Sequence, residues 1–361
     1  MKIALVSRRY YPEIGGIETH VKEVAERLAK RHEVVVFTLV NEGKQQIDEI
    51  INGVRVKRYK AVKLSYSIEF PTSYMINEIR KFEPDIVHSH NAHTTIPYFT
   101  SRVSNVAKFV ITPHYQGDAT TGFRKILSMV YKPLLSRAIS KADRLVCVSR
   151  IERDMLTNAF DLDPSKIRII PNGVGSDLAS IIPNRHQLRI LSVARFDLNH
   201  KRTDKLIKAF KILESKKIDA KLVLVGSGPD KEKITRLVED LSLSRKVEIK
   251  SGLSREQVVQ EYAAASIFVT ASEHEAFGIA VAEALAAKLN VIVPNSTALS
   301  LFVNAGYASG IEAPVTPEKI ADAIMICLEN NKQALEYPPY TWDMVAKELH
   351  KMYEELLSEN S

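Results

Sequence analysis

The sequence predicts an α/β protein of two domains, each built around a parallel β-sheet. Its 361 residues exceed what one ordinary hydrophobic core holds, so two domains of about 150–200 residues are expected. Short β-branched runs alternate with longer helical patterns along the whole chain. These apolar runs are nearly continuous, which is typical of strands that helices cover on both faces.

The N-terminal half carries the first set of strands, expected at residues 2–7, 32–39, 85–90, 108–113, 144–149 and 166–171. Between the first two runs, Val21, Val24 and Leu28 follow the spacing of one helix face, so a helix is expected over 18–31. Residues 171–187 then lose all periodicity and contain two prolines and two glycines, which indicates a linker.

The C-terminal half repeats the alternation, with strands expected at 189–194, 221–226, 246–252, 266–271 and 290–294. We therefore expect one domain over 1–178, a second over 186–340, and a final helix within 341–361. Parallel sheets bind ligands at the carboxyl ends of their strands, so functional motifs should lie directly after the strands.

Composition narrows the class of protein. Hydrophobic residues make up 45% and charged residues 26%, as in soluble globular domains. No apolar run approaches the ~20 residues that span a bilayer, and the N-terminal run is too short for a signal peptide. The two cysteines are far apart, which fits a reducing compartment, so we expect a cytoplasmic protein.

The charge distribution suggests the kind of partner. Residues 1–180 hold 27 Lys and Arg against 19 Asp and Glu, whereas residues 181–361 hold 23 against 24. This excess of positive charge in the N-terminal half can favour binding to an acidic small molecule, an anionic membrane or a nucleic acid. Nucleic acid is the weaker interpretation, because aromatics are only 7% and no nucleic-acid-binding motif is visible.

Two carboxylates flank the start of a predicted helix after the 266–271 strand. Glu275 lies just before the helix and Glu283 lies eight residues on. Eight helical residues span about 12 Å, which is too far for an acid–base pair at one atom and suits the two ends of an extended ligand. The alternative is a Glu that favours the helix dipole and a second, solvated Glu.

The helix start between these carboxylates is a candidate phosphate site. The free N–H groups of Phe277, Gly278 and Ile279 would face an anion, and Gly278 allows close approach. Arg195 and Lys201 follow the 189–194 strand in the same domain and could clamp a diphosphate. A carboxylate, a phosphate site and a second carboxylate would fit a sugar–diphosphate–ribose ligand.

A glycine pair follows the first strand. Gly15 and Gly16 could let backbone N–H groups approach an anion at the start of the first helix. The spacing G-x-G-x-x-G is absent, so a nicotinamide cofactor is not expected, and no other cofactor is indicated.

Together these residues resemble the retaining glycosyltransferases of family 4, which have the GT-B fold of two facing Rossmann-like domains. The resemblance implies that Glu275 contacts the donor sugar, Glu283 the nucleotide ribose, and Arg195 with Lys201 the diphosphate. It places Gly15 and Gly16 by the donor phosphate and acceptor, and His114 near the reacting centre. It also implies that the chain crosses back to the N-terminal domain after Tyr340-Thr-Trp342.

The implied reaction moves a sugar from a UDP-, GDP- or ADP-linked donor to a hydroxyl acceptor, with retention and without a metal ion, in glycan biosynthesis. The sequence departs from the family pattern at Lys288, where glycine is common, and in the 294–306 loop, which lacks the usual paired glycines. These departures concern the identity of the sugar more than the reaction.

Two other functions remain open. His88 and His90 lie on one side of a strand end, and with His93 and His114 they could form a zinc or iron site of a hydrolase. A catalytically silent nucleotide-sugar-binding protein is the other, although such a protein has no chemical need for both carboxylates and both cations.

Two basic clusters bear on the acceptor. The first runs from Arg55 to Lys63; the second, Arg124 to Lys141, interleaves basic residues with an apolar stripe. The second could be an amphipathic helix on an anionic membrane, near a lipid-linked acceptor and on the inner face of the membrane. Alternatively, the stripe is the core face of a packed helix, and Pro133 interrupts the segment, which argues against one long surface helix.

Overall fold

The computed structural model describes residues 1–40, 45–65, 68–117, 122–182, 186–330 and 335–359. It confirms the α/β class with two parallel-sheet domains, and each expected run forms a strand. The strands are β1 (Lys2–Val6), β2 (Glu33–Leu39), β3 (Ile47–Ile51), β4 (Val54–Tyr59), β5 (Ala61–Ser65), β6 (Ile68–Pro71), β7 (Ile86–His90), β8 (Lys108–Thr112), β9 (Arg144–Cys147), β10 (Ile167–Ile169), β11 (Arg189–Val193), β12 (Lys221–Val225), β13 (Val247–Lys250), β14 (Ile267–Val269), β15 (Asn290–Pro294) and β16 (Ser309–Ile311).

Helices connect most of these strands and supply the crossovers that parallel pairing needs. They are α1 (Gly16–Leu28), α2 (Ser73–Phe82), α3 (Ile96–Thr100), α4 (Gly122–Ser140), α5 (Arg150–Ala159), α6 (Ser176–Ala179), α7 (Thr203–Ser215), α8 (Lys231–Asp240), α9 (Arg255–Ala264), α10 (Ile279–Ala286), α11 (Ser300–Asn304), α12 (Pro317–Asn330) and α13 (Trp342–Ser358).

The first sheet has the order β10-β9-β8-β7-β1-β2-β4-β3 and is parallel except for the edge pair β3–β4. Its central strand β1 places Leu5 opposite Val36 on one side and His88 on the other. Strands β7 and β8 are buried along most of their length, which puts the histidines of β7 inside the domain.

Strands β3 to β6 and β16 were not expected from the sequence. In β4 the residues alternate between buried and exposed, with Val54 and Val56 inside, but Arg55, Lys57 and Arg58 obscured that alternation. Those basic residues are paired in the structure: Arg55 with Asp48 at 2.8 Å, Lys57 with Glu78 at 3.3 Å and Arg58 with Glu49 at 2.7 Å. Most of the first basic cluster is therefore neutralised by its neighbours.

The second sheet is parallel throughout, with the order β13-β12-β11-β14-β15-β16. Strands β11 and β14 are hydrogen-bonded neighbours, with Ile190 opposite Ile267. Their carboxyl ends lie side by side for this reason, and the loops that follow them start from one edge of the sheet.

By contact, the chain divides into two compact units. Unit 1 comprises residues 1–172 and 342–361, and unit 2 comprises 173–341. The final helix α13 belongs to unit 1, where Asp343 pairs with Arg27 of α1 at 3.0 Å. Residues 173–178, which the sequence assigned to the first domain, lie in unit 2.

Helix α4 contradicts the expectation that Pro133 prevents one long helix, since it runs unbroken for 19 residues. Leu135, Ala138 and Ile139 of this helix pack into the core of unit 1. The free energy of this packing offsets the loss of the backbone hydrogen bond that proline removes from the helix. Over this C-terminal part, the apolar stripe is a core face. No helix of the described chain is both long enough and apolar enough to cross a bilayer.

Candidate active site

The loop between β14 and α10 carries Glu275 and is anchored by residues after β15. The Glu275 N–H donates to Thr297 Oγ1 at 3.1 Å, and the Ala298 N–H donates to the Glu275 carbonyl at 3.3 Å. Ser296 Oγ donates to the carbonyl of Glu273 at 2.9 Å. The 294–306 loop, which lacks the paired glycines of the family, therefore holds the Glu275 loop through Ser296 and Thr297.

Helix α10 starts later than the sequence suggested. Gly278 is its N-cap, with φ at 95°, and the first helical residue is Ile279 rather than Phe277. A side chain at Gly278 would place Cβ 2.6 Å from Leu299 Cδ2, so the position requires glycine for both reasons. Phe277 packs edge-on against Phe302, and the amides of Ile279 and Ala280 begin the helix.

Lys201 and Glu275 form an ion pair in the structure. Lys201 lies in the turn after β11, two residues before α7, where its N–H donates to the Asp197 carbonyl at 2.8 Å. Arg195 is exposed and sits two residues beyond the end of β11. The predicted diphosphate cations therefore follow the strand that neighbours β14, and one of them already contacts the predicted sugar carboxylate.

Glu283 is nearly buried inside α10 and has two partners that the sequence did not reveal. Arg255 Nη1 lies 2.6 Å from Glu283 Oε1, and the Tyr262 hydroxyl donates to Oε2 at 3.0 Å. Arg255 also pairs with Asp177 at 2.8 Å. Arg255 and Tyr262 belong to α9, which no motif singled out, so only the packing of α9 against α10 could identify them.

The glycine pair begins α1, but its environment differs from the expectation. Gly15 is an extended N-cap with φ at −175°, and Gly16 is the first helical residue. The carboxylate of Glu18 folds back over this end, because a Cβ on Gly15 would meet Glu18 Oε2 at 2.2 Å. An external anion would have to displace Glu18 from this helix end.

Both ring nitrogens of His88 are engaged in hydrogen bonds. Its Nδ1 is 2.6 Å from the Tyr353 hydroxyl of α13, and its Nε2 is 2.7 Å from Thr112 Oγ1. With both ring nitrogens engaged, His88 has no atom left for a metal. The alternative of a metallohydrolase that uses His88 with His90 is therefore not supported at His88.

A different trio, His20, His90 and His114, clusters in the interior of unit 1. Burial lowers the pKa of His20 to about 4 and those of His90 and His114 well below the usual histidine value, so all three are neutral at pH 7. His20 Nδ1 is 2.7 Å from Asn172 Oδ1, while both nitrogens of His90 and Nε2 of His114 have no hydrogen-bond partner in the described chain.

The trio lies close enough together to hold a metal ion. Its candidate ligand atoms, one nitrogen from each ring, all lie within 4.8 Å of one another. Three nitrogens around a tetrahedral zinc ion, each 2.0–2.1 Å from it, lie about 3.4 Å apart. His20, His90 and His114 are therefore the candidate metal ligands of unit 1. Asp161 and Asp163 form the one Asp-x-Asp pattern of the sequence. They precede a turn that Asp163 caps, because its carboxylate accepts the Ser165 N–H at 2.9 Å.

His114 follows β8 in a left-handed conformation, with φ at 50°. The next residue is fixed by Glu152, whose carboxylate accepts the N–H groups of Tyr115 and Val148, each at 2.6 Å. Burial raises the pKa of Glu152 to about 8. Ser149 caps α5, the helix that carries Glu152, by accepting the Glu152 N–H at 3.0 Å. No sequence motif identifies Glu152, because its partners are backbone groups.

Comparison with known proteins agrees with this organisation. The family model described as Glycosyltransferase Family 4 matches residues 14–178, and the model Glycosyl transferases group 1 matches residues 179–341. Two parallel-sheet units matched by these models define a glycosyltransferase of the GT-B fold. The chain belongs to glycosyltransferase family 4, as its motifs suggested.

Relatives and solved structures support the same class. The GPI3 subunit of phosphatidylinositol N-acetylglucosaminyltransferase from Saccharomyces cerevisiae is 25% identical over 80% of this chain and 67% of its own. Alpha-monoglucosyldiacylglycerol synthase of Acholeplasma laidlawii is 23% identical over 100% of this chain and 98% of its own. Sucrose-phosphate synthase of Thermosynechococcus elongatus superposes with a TM-score of 0.79 at 19% identity, with 99% of both chains covered. Anabaena HepE, in complex with UDP-glucose, has a TM-score of 0.71 at 15% identity over 100% of this chain and 99% of its own.

Proposed function

We propose that this glycosyltransferase takes its sugar from a nucleoside-diphosphate donor, retains the anomeric configuration and needs no metal ion. The observation that carries the proposal is the arrangement at one sheet edge of unit 2. Lys201 and Glu275 are in contact beside the start of α10, and Glu283 lies four residues, about one turn, further along that helix. The complex of Anabaena HepE with UDP-glucose supports this donor class.

The donor diphosphate would bind where positive charge is already concentrated. Lys201 would exchange its contact with Glu275 for the phosphate, and Arg195 would add a second cation from the same loop. The free amides at the start of α10 would contribute hydrogen bonds and the positive end of the helix dipole. The charge that develops on the departing nucleoside diphosphate is stabilised by these groups without a metal ion.

The sugar and ribose ends of the donor would be held by the two carboxylates. Release of Lys201 to the phosphate would leave Glu275 free to accept hydrogen bonds from sugar hydroxyls and to ease positive charge at the anomeric carbon. Glu283 would accept the hydroxyls of the ribose. We assign His114, through the family resemblance, to the reacting centre, where its neutral ring can donate or accept one hydrogen bond.

The acceptor is assigned to the N-terminal domain, with the donor in the C-terminal one. The yeast relative is named for phosphatidylinositol, which favours a lipid-linked hydroxyl and a peripheral contact with an anionic membrane. The basic surplus of residues 1–180 favours the same class. Cytoplasmic residence, on the inner face of the membrane, completes the proposal.

The decisive experiment separates a transferase from a silent binding protein. Thermal shift against UDP-, GDP- and ADP-sugars identifies the donor, since a ligand at 100 times its Kd adds about 2.7 kcal/mol of stability. The released nucleoside diphosphate is then measured with the stabilising donor, before and after treatment with EDTA. We expect slow release that EDTA leaves unchanged.

Three results would contradict parts of the proposed function. No stabilisation by any donor would refute the donor assignment, and stabilisation without release would favour the silent protein. Loss of activity in EDTA, restored by zinc, would instead favour a functional metal site, for which His20, His90 and His114 are the candidate ligands.

A further inference from the structure

The carboxylate of Glu283 is held on two sides by α9. Arg255 Nη1 approaches Oε1 at 2.6 Å and the Tyr262 hydroxyl donates to Oε2 at 3.0 Å. Tyr262 is fully buried, and its hydroxyl also lies 3.3 Å from the Ala280 carbonyl of α10. Neither carboxylate oxygen can turn without breaking one of these bonds.

Arg255 is itself fixed and permanently charged. Its Nε and Nη2 bind the two oxygens of Asp177 at 2.8 and 3.0 Å, so the guanidinium forms a forked pair and turns its remaining Nη1 toward Glu283. The ion pairs with Asp177 and Glu283 raise the pKa of Arg255 against the effect of burial. Asp177 thus sets the position from which Arg255 reaches Glu283.

This arrangement leaves a defined capacity on Glu283. An ionised carboxylate accepts about four hydrogen bonds, two at each oxygen. Arg255 occupies one position on Oε1 and Tyr262 one on Oε2. One lone pair per oxygen remains, and the side chain is still 10% exposed. Two adjacent acceptors on separate oxygens match a vicinal diol, which offers two O–H donors.

We infer that Arg255 and Tyr262 are positioning residues that aim Glu283 at the 2′,3′-diol of a ribonucleotide and thereby make the protein reject deoxyribose. The inference rests on the proposed function, since it takes the ligand of unit 2 to be a nucleoside diphosphate. It assigns to α9 a part in donor specificity that Glu283 could not perform alone.

The test measures Kd by calorimetry for UDP, 2′-deoxy-UDP and 3′-deoxy-UDP, or for the corresponding GDP or ADP series if that base stabilises the protein. The variants are Tyr262→Phe, which removes only the hydroxyl, and Arg255→Met. Arg189→Met is the matched control, because Arg189 also pairs with α9, at Glu261 and 3.0 Å, but has no contact with Glu283 among the described residues.

We expect the wild-type protein and Arg189→Met to bind the ribonucleotide about tenfold or more tightly than either deoxy form, as for hydrogen bonds to a charged acceptor. In Tyr262→Phe and Arg255→Met this ratio should fall to about threefold or less. A merely structural role would weaken all three ligands equally and leave the ratio unchanged.

Several results would overturn the inference. They are an unchanged ratio in both variants, no discrimination by the wild-type protein, and tighter ribonucleotide binding by Arg255→Met, which would make Arg255 a competitor of the ribose. If the wild-type protein binds no nucleoside diphosphate at all, the proposed function itself fails. The two failures are therefore distinguishable.

Discussion

Glu275 and Glu283 have different partners, and this difference should separate their roles. Glu275→Gln should depress turnover far more than affinity for the free nucleoside diphosphate, because Glu275 is assigned to the sugar. Glu283→Ala should weaken nucleotide binding itself by roughly 1.5–3 kcal/mol, the value of hydrogen bonds to a charged acceptor. Calorimetry with the free nucleoside diphosphate and steady-state kinetics check both, and equal effects on binding would contradict the division.

Glu152 should give the protein a distinctive dependence of stability on pH. Burial raises the pKa of its carboxyl group from 4.5 to about 8, so the folded protein keeps a proton that the unfolded chain releases. Its contribution to stability therefore falls as pH rises from about 4.5 to 8. The buried histidines have lowered pKa values and act in the opposite direction below their unfolded pKa near 6.5.

The Glu152→Gln variant isolates the carboxyl contribution. Between pH 5 and 8 the thermal midpoint of this variant should decline less steeply with rising pH than that of the wild-type protein, and above pH 8 the two curves should run parallel. Ser149→Ala, which removes the cap of the same helix, should lower the midpoint by a similar amount at every pH. Parallel curves for the wild-type protein and Glu152→Gln would show that Glu152 does not titrate in this range.

Candidate site residues could be predicted from the sequence where a motif directly follows a predicted strand. Glu275 and Lys201 were found this way, and the structure brings them into contact. Arg255, Tyr262 and Glu152 were not, because their partners are far away in sequence or belong to the backbone. The alternative metal role of His88 stayed open because sequence alone cannot show that Tyr353, 265 residues later, is hydrogen-bonded to its Nδ1.

At the scale of elements, the end of α10 offers a direct test of backbone strain. Lys288 has φ at 59°, which explains why glycine is common at this position in the family. Its N–H donates to the Leu285 carbonyl at 2.9 Å, and the Leu289 N–H donates to Ala284 at 3.0 Å, as in a left-handed helix cap. Lys288→Gly should therefore stabilise the protein by about 1 kcal/mol.

The expected change is a rise in the thermal midpoint of about 2–4 °C. The neighbouring variant Ala287→Gly is the matched control, because Ala287 has φ at −79° and gains nothing from glycine. It should lower stability by roughly 0.5–1 kcal/mol. A lower midpoint for Lys288→Gly would mean that the lysine side chain contributes more than the backbone strain costs.

Elements were predictable where burial on both faces made the apolar run continuous. Strands β3 and β4 were not predicted from the sequence. They form the edge of the sheet, and their outward residues, such as Asp48 and Arg55, are charged and interrupt the apolar run. The start of α10 was placed two residues early because the left-handed conformation of Gly278, with φ at 95°, is not visible in the sequence. In α4, core packing overrode the proline that argued for a break.

At the scale of the molecule, the basic surplus belongs to unit 1. That unit has 29 Lys and Arg against 23 Asp and Glu, whereas unit 2 has 21 against 20. The membrane proposal leads us to expect sedimentation with anionic but not neutral vesicles, and loss of that binding at high salt. Since the ion pairs of β4 neutralise several charges, the binding should be weak. No sedimentation with anionic vesicles at low salt would favour a soluble anionic acceptor.

The fold class and the order of units could be read from the sequence because alternating strands and helices leave few topologies. The return of α13 to unit 1 came only from the family resemblance, since its amphipathic pattern fits either sheet. Residues 124–130 of the second basic cluster lie outside the part of the chain whose side chains the structure describes.

The place of α13 has a practical meaning for dissecting the protein. Val345, Leu349 and Tyr353 are fully buried in unit 1, and His350 meets His32 at 3.0 Å. A fragment of residues 1–172 would expose the surface that these side chains cover. It would also leave the Nδ1 of His88 without the Tyr353 hydroxyl as its hydrogen-bond partner. Such a fragment should be insoluble alone and be rescued by a separate peptide of residues 342–358. The N-terminal domain can thus be assembled from two chains, with the helix acting as a removable part.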